Sequence, residues 1–151
     1  MNNVYDLWIS KVEIPNKFKL QLLNKYSAEK LWNMSFNEIK NEYNLIDEKY
    51  LKRLIDTKDK TMLEKYLEYM DKINVKCFSF KSENYPKKLA NIDDNPAYIY
   101  VRGNENLLFE DGVAIVGSRN ASKYGMEVAK EFARKIADKN VNVISGLARR
   151  S

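Results

Sequence analysis

Two short segments of the sequence combine glycine, serine and arginine directly after an apolar run. GSR occupies residues 117–119 after the apolar residues 113–116, and SGLAR occupies residues 145–149 after VNVI. Glycine lets backbone N–H groups come close to a ligand, serine adds a hydroxyl donor, and the arginine guanidinium fits phosphate oxygens in a bidentate way. These residue types predict an anion site for phosphate, built from Gly117, Ser118, Arg119, Ser145, Gly146 and Arg149.

The elements around these segments would bring them together. The two apolar runs predict strands, and residues 122–140 between them show the apolar stripe of an amphipathic helix. A strand, a helix and a strand in this order form a βαβ unit with parallel strands. The carboxyl ends of parallel strands lie at one edge of the sheet, where α/β proteins bind their ligands. The positive end of the helix near Ser122, with Lys123 beside it, would strengthen an anion site there.

Two nucleotide-binding motifs fail on spacing. A dinucleotide site needs G-x-G-x-x-G, yet the next glycine after Gly117 is Gly125. A P-loop needs G-x-x-x-x-G-K-[ST], and its second glycine would fall on Ser122. A structural alternative stays open, in which Gly117 only makes a tight turn and Arg119 is solvated. Tyr124 is the aromatic residue nearest to the site, and we expect it to pack at the helix start rather than to stack on a base.

Composition limits the chemistry. The 151 residues contain no histidine, so the commonest general base and zinc ligand is missing. Cys77 is the only cysteine, and its apolar neighbours predict a buried position rather than a reactive thiol. We therefore expect no catalytic residue, no metal and no cofactor. The net charge of +5 permits a polyanionic partner. The excess lies in residues 75–151, with 13 Lys and Arg against 9 Asp and Glu, whereas residues 1–74 hold 13 against 12.

The cellular location of the protein is predicted from two signals that the sequence lacks. Its first residues, MNNVYDLWISKVEIPNK, do not have the basic and apolar regions of a signal peptide. No run approaches the roughly 18 apolar residues of a membrane-spanning helix. We expect a cytoplasmic protein with no membrane partner.

The periodicity changes near residue 75. Residues 1–74 predict a bundle of four to six short helices, with Ser27 as an N-cap and Ser35 and Glu38 at capping-box spacing. In the last of these helices Met62, Tyr66, Tyr69 and Ile73 recur at helical spacing, with Leu63, Leu67 and Met70 beside them. From residue 75 onward, four strand-like segments predict α/β structure: VKCFSF, AYIYVRG, GVAIVG and VNVISGLA. The uninterrupted apolar character of GVAIVG predicts a strand covered on both faces.

Three motifs in residues 85–149 resemble the DprA/Smf family (DNA-processing protein A). They are YPKKLANIDDNPAYIYVRGNENLL, VAIVGSRNASKYG and VNVISGLAR, in the family's order and spacing. The resemblance implies an α/β fold, with residues 1–74 as an accessory helical domain and residues 75–151 as the first part of an extended Rossmann-like parallel sheet. The helical part resembles the family only loosely, since ISKVEIPNKFKLQLL lacks the glycines of a DNA-binding helical hairpin.

The resemblance also implies a function. DprA/Smf proteins bind single-stranded DNA, protect incoming strands during natural transformation and deliver them to the recombinase RecA, without known catalysis. Carried over to this sequence, Gly117, Ser118 and Arg119 would hold a DNA phosphate, and Ser145, Gly146 and Arg149 would line the same pocket. Lys123 is a further candidate by position. A related alternative, a nucleoside-monophosphate phosphoribohydrolase, lacks its glycine-rich phosphate signature in this sequence.

The sequence departs from the family pattern S-G-x-A-R-G-[IV]-D at its last residues. It reads SGLARRS, so Arg150 replaces a glycine and the acidic residue is not reached. We expect a truncated chain with an incomplete sheet, whose open edge at residues 141–148 could pair with a second copy or a full-length relative. DNA binding would then be a residual activity, and a nonfunctional or interaction-only fragment is the alternative.

Overall fold

The computed structural model describes residues 3–118 and 120–146. The chain divides into two compact units, Met1–Glu105 and Asn106–Ser151. The first unit contains a helical core and an antiparallel strand pair, and the second contains a parallel strand pair and one long helix. This mixed architecture confirms the predicted α/β class, with helices first and an incomplete Rossmann-like portion after them.

Six short helices form between residues 3 and 74, as the periodicity predicts. The Ser27 hydroxyl accepts a hydrogen bond from the Lys30 N–H, and Ser35 and Glu38 form a complete capping box, so both predicted N-caps are confirmed. The helices are α1 Val4–Lys11, α2 Asn16–Lys25, α3 Ala28–Asn33, α4 Phe36–Glu42, α5 Glu48–Asp56 and α6 Lys60–Lys72.

Trp8 lies at the centre of the core of the first unit. Its side chain is 1% exposed, and its indole N–H donates to the Leu54 carbonyl and the Thr57 hydroxyl, each at 3.1 Å. The ring meets Trp32 edge-on, with centroids 5.2 Å apart. These bonds fix α1 against the C-terminal end of α5, so the indole supplies both apolar area and specific polar contacts.

Two strands complete the first unit. β1 (Val75–Ser79) and β2 (Tyr98–Arg102) pair antiparallel, with Cys77 opposite Tyr100. The loop between them contains a one-turn helix, α7 (Lys87–Ala90), at the position that the sequence predicts. Asn16 fastens the end of this loop to α2: its amide oxygen accepts from the Ala97 N–H at 2.8 Å, and its amide nitrogen donates to the Asn95 carbonyl at 2.9 Å. The strands and the helices therefore share one core, and the domain boundary between residues 74 and 75 stays a prediction.

The second unit is a βαβ unit. A 3₁₀ helix, Glu105–Phe109, spans the division of the chain, and β3 (Gly112–Ala114), α8 (Lys123–Ala137) and β4 (Asn142–Ile144) follow. β3 and β4 are parallel. The Ser122 hydroxyl caps α8 by accepting from the Gly125 N–H at 3.1 Å. The predicted strand–helix–strand order is confirmed.

One expectation about burial is wrong, and the sequence left the buried face of α6 open. The apolar run of β3 predicts a strand covered on both faces, but Gly112–Ala114 is exposed along its length, because β3 has a single strand neighbour in the described residues. In α6, Met62, Tyr66 and Tyr69 are exposed, whereas Leu63 and Met70 are buried. Both sets recur at helical spacing, so periodicity alone could not decide which of them faces the core.

Candidate nucleic-acid interface

The candidate site lies where β3 and β4 end. Val113 is in register with Val143, and Ala114 with Ile144. The pairing continues past the strands, since the Ile115 N–H donates to the Ile144 carbonyl at 2.9 Å. Because the strands are parallel, the segments that leave them start from the same edge of the sheet. Four residues of these segments belong to the predicted site, and all four are exposed: Gly117, Ser118, Ser145 and Gly146.

The two glycines of the site are not required by the fold. A Cβ atom built on Gly117 or Gly146 would meet nothing within 4 Å, and neither residue has a positive φ. Gly112 differs, because a Cβ there would come within 2.9 Å of the Ile144 Cδ1 and 3.0 Å of the Asn142 carbonyl. A tight turn therefore does not explain Gly117. Open space beside its backbone is what close approach of a ligand would need.

The serines near the start of α8 organise the loop. The Ser118 hydroxyl accepts from the Asn120 N–H at 3.2 Å, and the Ser122 hydroxyl caps the helix. The first turn of a helix keeps N–H groups without intrahelical partners, and the helix dipole makes this end positive. Lys123, the first residue of α8, is exposed and forms no ion pair among the described residues. Gly117 and Ser118 are also exposed, in the segment that leads from β3 to α8.

Two residues predicted for the site lie outside the described residues. These are Arg119 and Arg149. The structure thus brings Ser145 and Gly146 to the sheet edge from which the segment with Gly117 and Ser118 also leaves. No group of three potential metal ligands occurs in residues 3–118 and 120–146.

Two apolar side chains near the loop differ from their predicted environment. Tyr124 is expected to pack at the start of the helix, but 77% of it is exposed. Val116, expected within a covered strand, is also largely exposed. Sequence reasoning missed this exposure because apolar character predicts burial only when another element is available to cover it. Tyr124 is therefore accessible to a ligand, one residue after Lys123 of the predicted anion site.

Hydrogen bonds of Asn142 hold the opposite, amino end of the strand pair. The Asn142 side-chain amide donates to the Glu110 carboxylate at 3.3 Å and to the Leu107 carbonyl at 3.4 Å. It holds the start of β4 to the segment that precedes β3. These contacts lie at the amino ends of the strands, so they position the pair without occupying the carboxyl edge.

Among the residues that the structure describes, none of the helices combines the length and the apolar character needed to cross a bilayer.

Comparisons with known proteins give the family. Residues 76–150 match the family described as DNA recombination-mediator protein A. The chain is 30% identical over 135 residues to protein Smf of Borreliella burgdorferi, which covers 89% of this chain. It is 33% identical over 75 residues to the DNA processing protein DprA of Bacillus subtilis, and 36% identical over 72 residues to DprA of Streptococcus pneumoniae.

The matches cover a part of each relative. The chain spans 42% of the Borreliella protein and 25% of each of the two DprA proteins. The matches to the two DprA proteins cover 49% and 48% of this chain. The match to the Borreliella protein covers 89% of it and therefore includes most of the helices of the first compact unit. The resemblance predicted from residues 85–149 is confirmed by these independent matches. This chain belongs to the DprA/Smf family.

Proposed function

We propose that this protein binds single-stranded DNA and acts in DNA recombination, with DNA phosphates held at the carboxyl edge of β3 and β4. One observation carries the proposal: Gly117 and Gly146 follow adjacent parallel strands, are exposed, and are required neither by packing nor by backbone conformation. Glycines with open space beside them are suited to a ligand that approaches the backbone closely.

The chemistry of this edge suits phosphate. Backbone N–H groups and the hydroxyls of Ser118 and Ser145 are neutral donors, while Lys123, Arg119 and Arg149 supply positive charge. Phosphate contacts position a strand and do not read bases, so binding is expected to be insensitive to sequence and strongly dependent on salt. Tyr124 is exposed beside the site and could stack on a base.

The names of the relatives support the biological setting. The family is described as a recombination mediator, and the two DprA proteins are named as DNA processing proteins. We place this chain in the cytoplasm, where it would protect incoming strands in natural transformation and deliver them to RecA. The role needs no catalytic group and no cofactor, because holding and transferring a strand breaks no bond.

Titration of a fluorescent oligodeoxythymidylate at low salt tests the proposal. Arg119→Ala should weaken binding by about 1.5–3 kcal/mol, which is tenfold or more, if its guanidinium contacts a phosphate. Arg134→Ala is the matched control, because this exposed arginine of α8 lies away from the loop in sequence. Equal affinities of the two variants, or no binding by the natural chain, would contradict the proposal.

Gly117→Ala gives an independent test. The added methyl group meets no atom within 4 Å and needs no strained backbone, so the free energy of unfolding should stay within about 0.5 kcal/mol of the natural value. It would still occupy the space beside the backbone N–H groups. Weaker DNA binding with unchanged stability supports close approach of the phosphate at this glycine, and unchanged binding contradicts it.

We also propose that the second unit pairs with another chain through its sheet edge. Val143 and Ile144 of β4 are exposed together with Phe132 of α8, and β4 has a single strand neighbour among the described residues. Exposed strand edges favour pairing. Val143→Lys places a charge on this strand and should abolish concentration-dependent association in sedimentation velocity. A natural chain that stays monomeric at high concentration would exclude self-pairing.

A further inference from the structure

The helix α6 presents an uncharged aromatic stripe to solvent in the first compact unit. Tyr66 is 42% exposed and Tyr69 is 57% exposed, and Met62 lies beside them. With Lys65 they line a shallow cavity of about 350 Å³. This stripe is adjacent to the side of α6 that carries the buried Leu63 and Met70, so burying the core does not account for it.

Two lysines of α6 lie closer to this stripe than its acidic residues do. At about 100° per residue, Lys65 and Lys72 lie roughly 40° and 60° from Tyr69 around the helix axis. The three acidic residues of α6 lie about 100° or more from Tyr69 and about 140° or more from Tyr66. They are Glu64, Glu68 and Asp71. In the part of the chain that the structure describes, neither Lys65 nor Lys72 forms an ion pair, so both charges are open to an external anion.

Neighbouring elements extend the surface. The ammonium group of Lys11, in the last turn of α1, lies 3.6 Å from the centroid of the Tyr66 ring. Tyr100 of β2 is partly exposed and shares a hydrogen bond of 2.5 Å with the hydroxyl of Ser10, the residue before Lys11. The surface thus combines exposed aromatic rings with cations on long side chains.

We propose that this surface, made of Tyr66, Tyr69, Lys11, Lys65 and Lys72, binds single-stranded nucleic acid. One base would stack on Tyr69 and a second on Tyr66, about one helical turn away, where it would replace the Lys11 ammonium over the ring. The displaced Lys11 and the other lysines would then pair with phosphates. Aromatic rings combined with a positive border are the two components of sequence-tolerant single-strand binding. Charge complementarity favours this partner over an apolar peptide or a second copy of the chain, since the three lysines outnumber the one carboxylate that caps α6 beside Met62, that of Asp59.

This inference rests on the proposed function for its class of ligand, but it uses different residues in a different compact unit. The two can therefore fail separately. If Arg119→Ala abolishes binding and substitution of the tyrosines has no effect, the proposed function stands and this inference is overturned. If substitution of the tyrosines weakens binding and Arg119→Ala does not, the inference stands and the phosphate site at β3 and β4 is overturned. Absence of any binding by the natural chain overturns both.

Stacking is tested with the full chain, a fluorescent oligodeoxythymidylate and an abasic oligonucleotide of the same length. The natural chain should bind the thymidine strand more tightly, and Tyr66→Ala combined with Tyr69→Ala should remove that preference. Loss of one stacked base corresponds to roughly a fivefold or greater loss of affinity. The matched variant, Tyr66→Phe with Tyr69→Phe, keeps the rings and should keep the preference. Equal binding of both oligonucleotides by the natural chain would overturn the inference.

The lysine border is tested by salt dependence. Lys65→Gln should weaken binding and lower the slope of log affinity against log salt by about 0.7, the value for one phosphate contact on a single strand. Lys52→Gln on α5 is the control, because Lys52 is exposed and lies on another helix. Equal slopes for the two variants contradict a phosphate contact at Lys65. Concentration-dependent dimerisation that is lost in the tyrosine-to-alanine variant would instead identify the stripe as a self-association surface, and would overturn the inference.

Discussion

Trp8 shows how one side chain joins sequence-distant helices. Its indole is buried in α1 and donates to Leu54 and Thr57 near the end of α5. Trp8→Phe removes both hydrogen bonds and leaves a space beside Trp32. We expect the free energy of unfolding to fall by about 2–4 kcal/mol, because the loss of packing adds to the loss of polar contacts. Guanidinium denaturation followed by Trp32 fluorescence measures this change.

The control for Trp8 is an apolar residue that is almost fully exposed. Leu45 is 89% exposed, so Leu45→Ala should change the free energy of unfolding by no more than about 0.5 kcal/mol. A comparable loss in both variants would mean that the Trp8 contacts contribute little of the stability.

Cys77 is a second residue whose chemistry follows from its surroundings. Burial raises the pKa of its thiol to about 11, so the thiol is protonated at neutral pH. At pH 8 its thiolate fraction is about a hundredfold smaller than that of a thiol with its ordinary pKa, and the thiolate is the reactive form. The folded chain should react slowly with a disulfide reagent, and the chain unfolded in guanidinium should react fast. Rapid, stoichiometric reaction of the folded chain would contradict the buried position.

At the scale of elements, the face of the β1–β2 pair next to α1 carries a thiol and two phenols, which lose their protons only at high pH. The Tyr98 hydroxyl donates to the Asp6 carboxylate at 2.7 Å, and Tyr100 shares its bond with Ser10. Burial raises the pKa of both phenols, as it raises that of Cys77. This packing face therefore depends on three groups that stay protonated.

The consequence is alkaline destabilisation. The unfolded chain loses these protons first as the pH rises, so it binds fewer protons than the folded chain, and the free energy of unfolding falls. We expect little change between pH 7 and 8.5 and a decrease from about pH 9 upward, where the ordinary pKa of the thiol and then of the phenols is passed. Lys19 opposes the decrease in part, because burial lowers its pKa. Guanidinium denaturation at pH 7.5 and 10.5 measures the difference.

Tyr98→Phe separates this effect from general alkaline unfolding. The variant loses the hydrogen bond to Asp6 and should be less stable than the natural chain at pH 7.5. The variant also lacks the Tyr98 phenol, whose deprotonation in the unfolded chain destabilises the natural protein at high pH. The difference in free energy of unfolding between the two proteins should therefore be smaller at pH 10.5 than at pH 7.5. A gap that is the same at both pH values would show that Tyr98 does not contribute to the pH dependence.

Sequence reasoning predicts those elements whose signals are local. The caps at Ser27 and Ser35 and the one-turn helix Lys87–Ala90 follow from nearby residues, and the structure contains all of them. The inward face of α6 could not be predicted, since Tyr66 and Leu63 belong to stripes of the same period. Which stripe is buried depends on where α1 and β1 pack, and this is set by residues distant in sequence.

At the scale of the whole molecule, strand pairing marks the limit of prediction. Each of the four strands in the described residues is visible as an apolar or β-branched run, and the helix between the last two predicts that β3 and β4 are parallel. The runs do not say that β1 pairs with β2 in an antiparallel way. The candidate site was predictable in its glycines and serines, because the carboxyl ends of parallel strands meet at one edge. The exposure of β3 was not predictable, since an apolar run carries no information about whether a covering element is present.

The core of the molecule lies entirely in the first compact unit, and this gives a test of the domain boundary. No described residue after Ala97 is buried. A fragment of residues 1–105 should therefore unfold cooperatively on heating, with a midpoint within about 5 °C of that of the full chain, a shift equivalent to about 1 kcal/mol. Circular dichroism and tryptophan fluorescence both report this transition, because Trp8 and Trp32 lie in the fragment.

A shorter fragment, residues 1–74, decides where the helical domain ends. It lacks Cys77, Phe78 and Ala97, which are buried in the first unit, and it loses the bond between Tyr98 and Asp6. We expect it to melt well below the 1–105 fragment, because the apolar residues that β1 and β2 cover would be exposed to water. Equal melting temperatures of the two fragments would instead establish residues 1–74 as an independent domain. The strands β1 and β2 would then be attached to it without contributing to its stability.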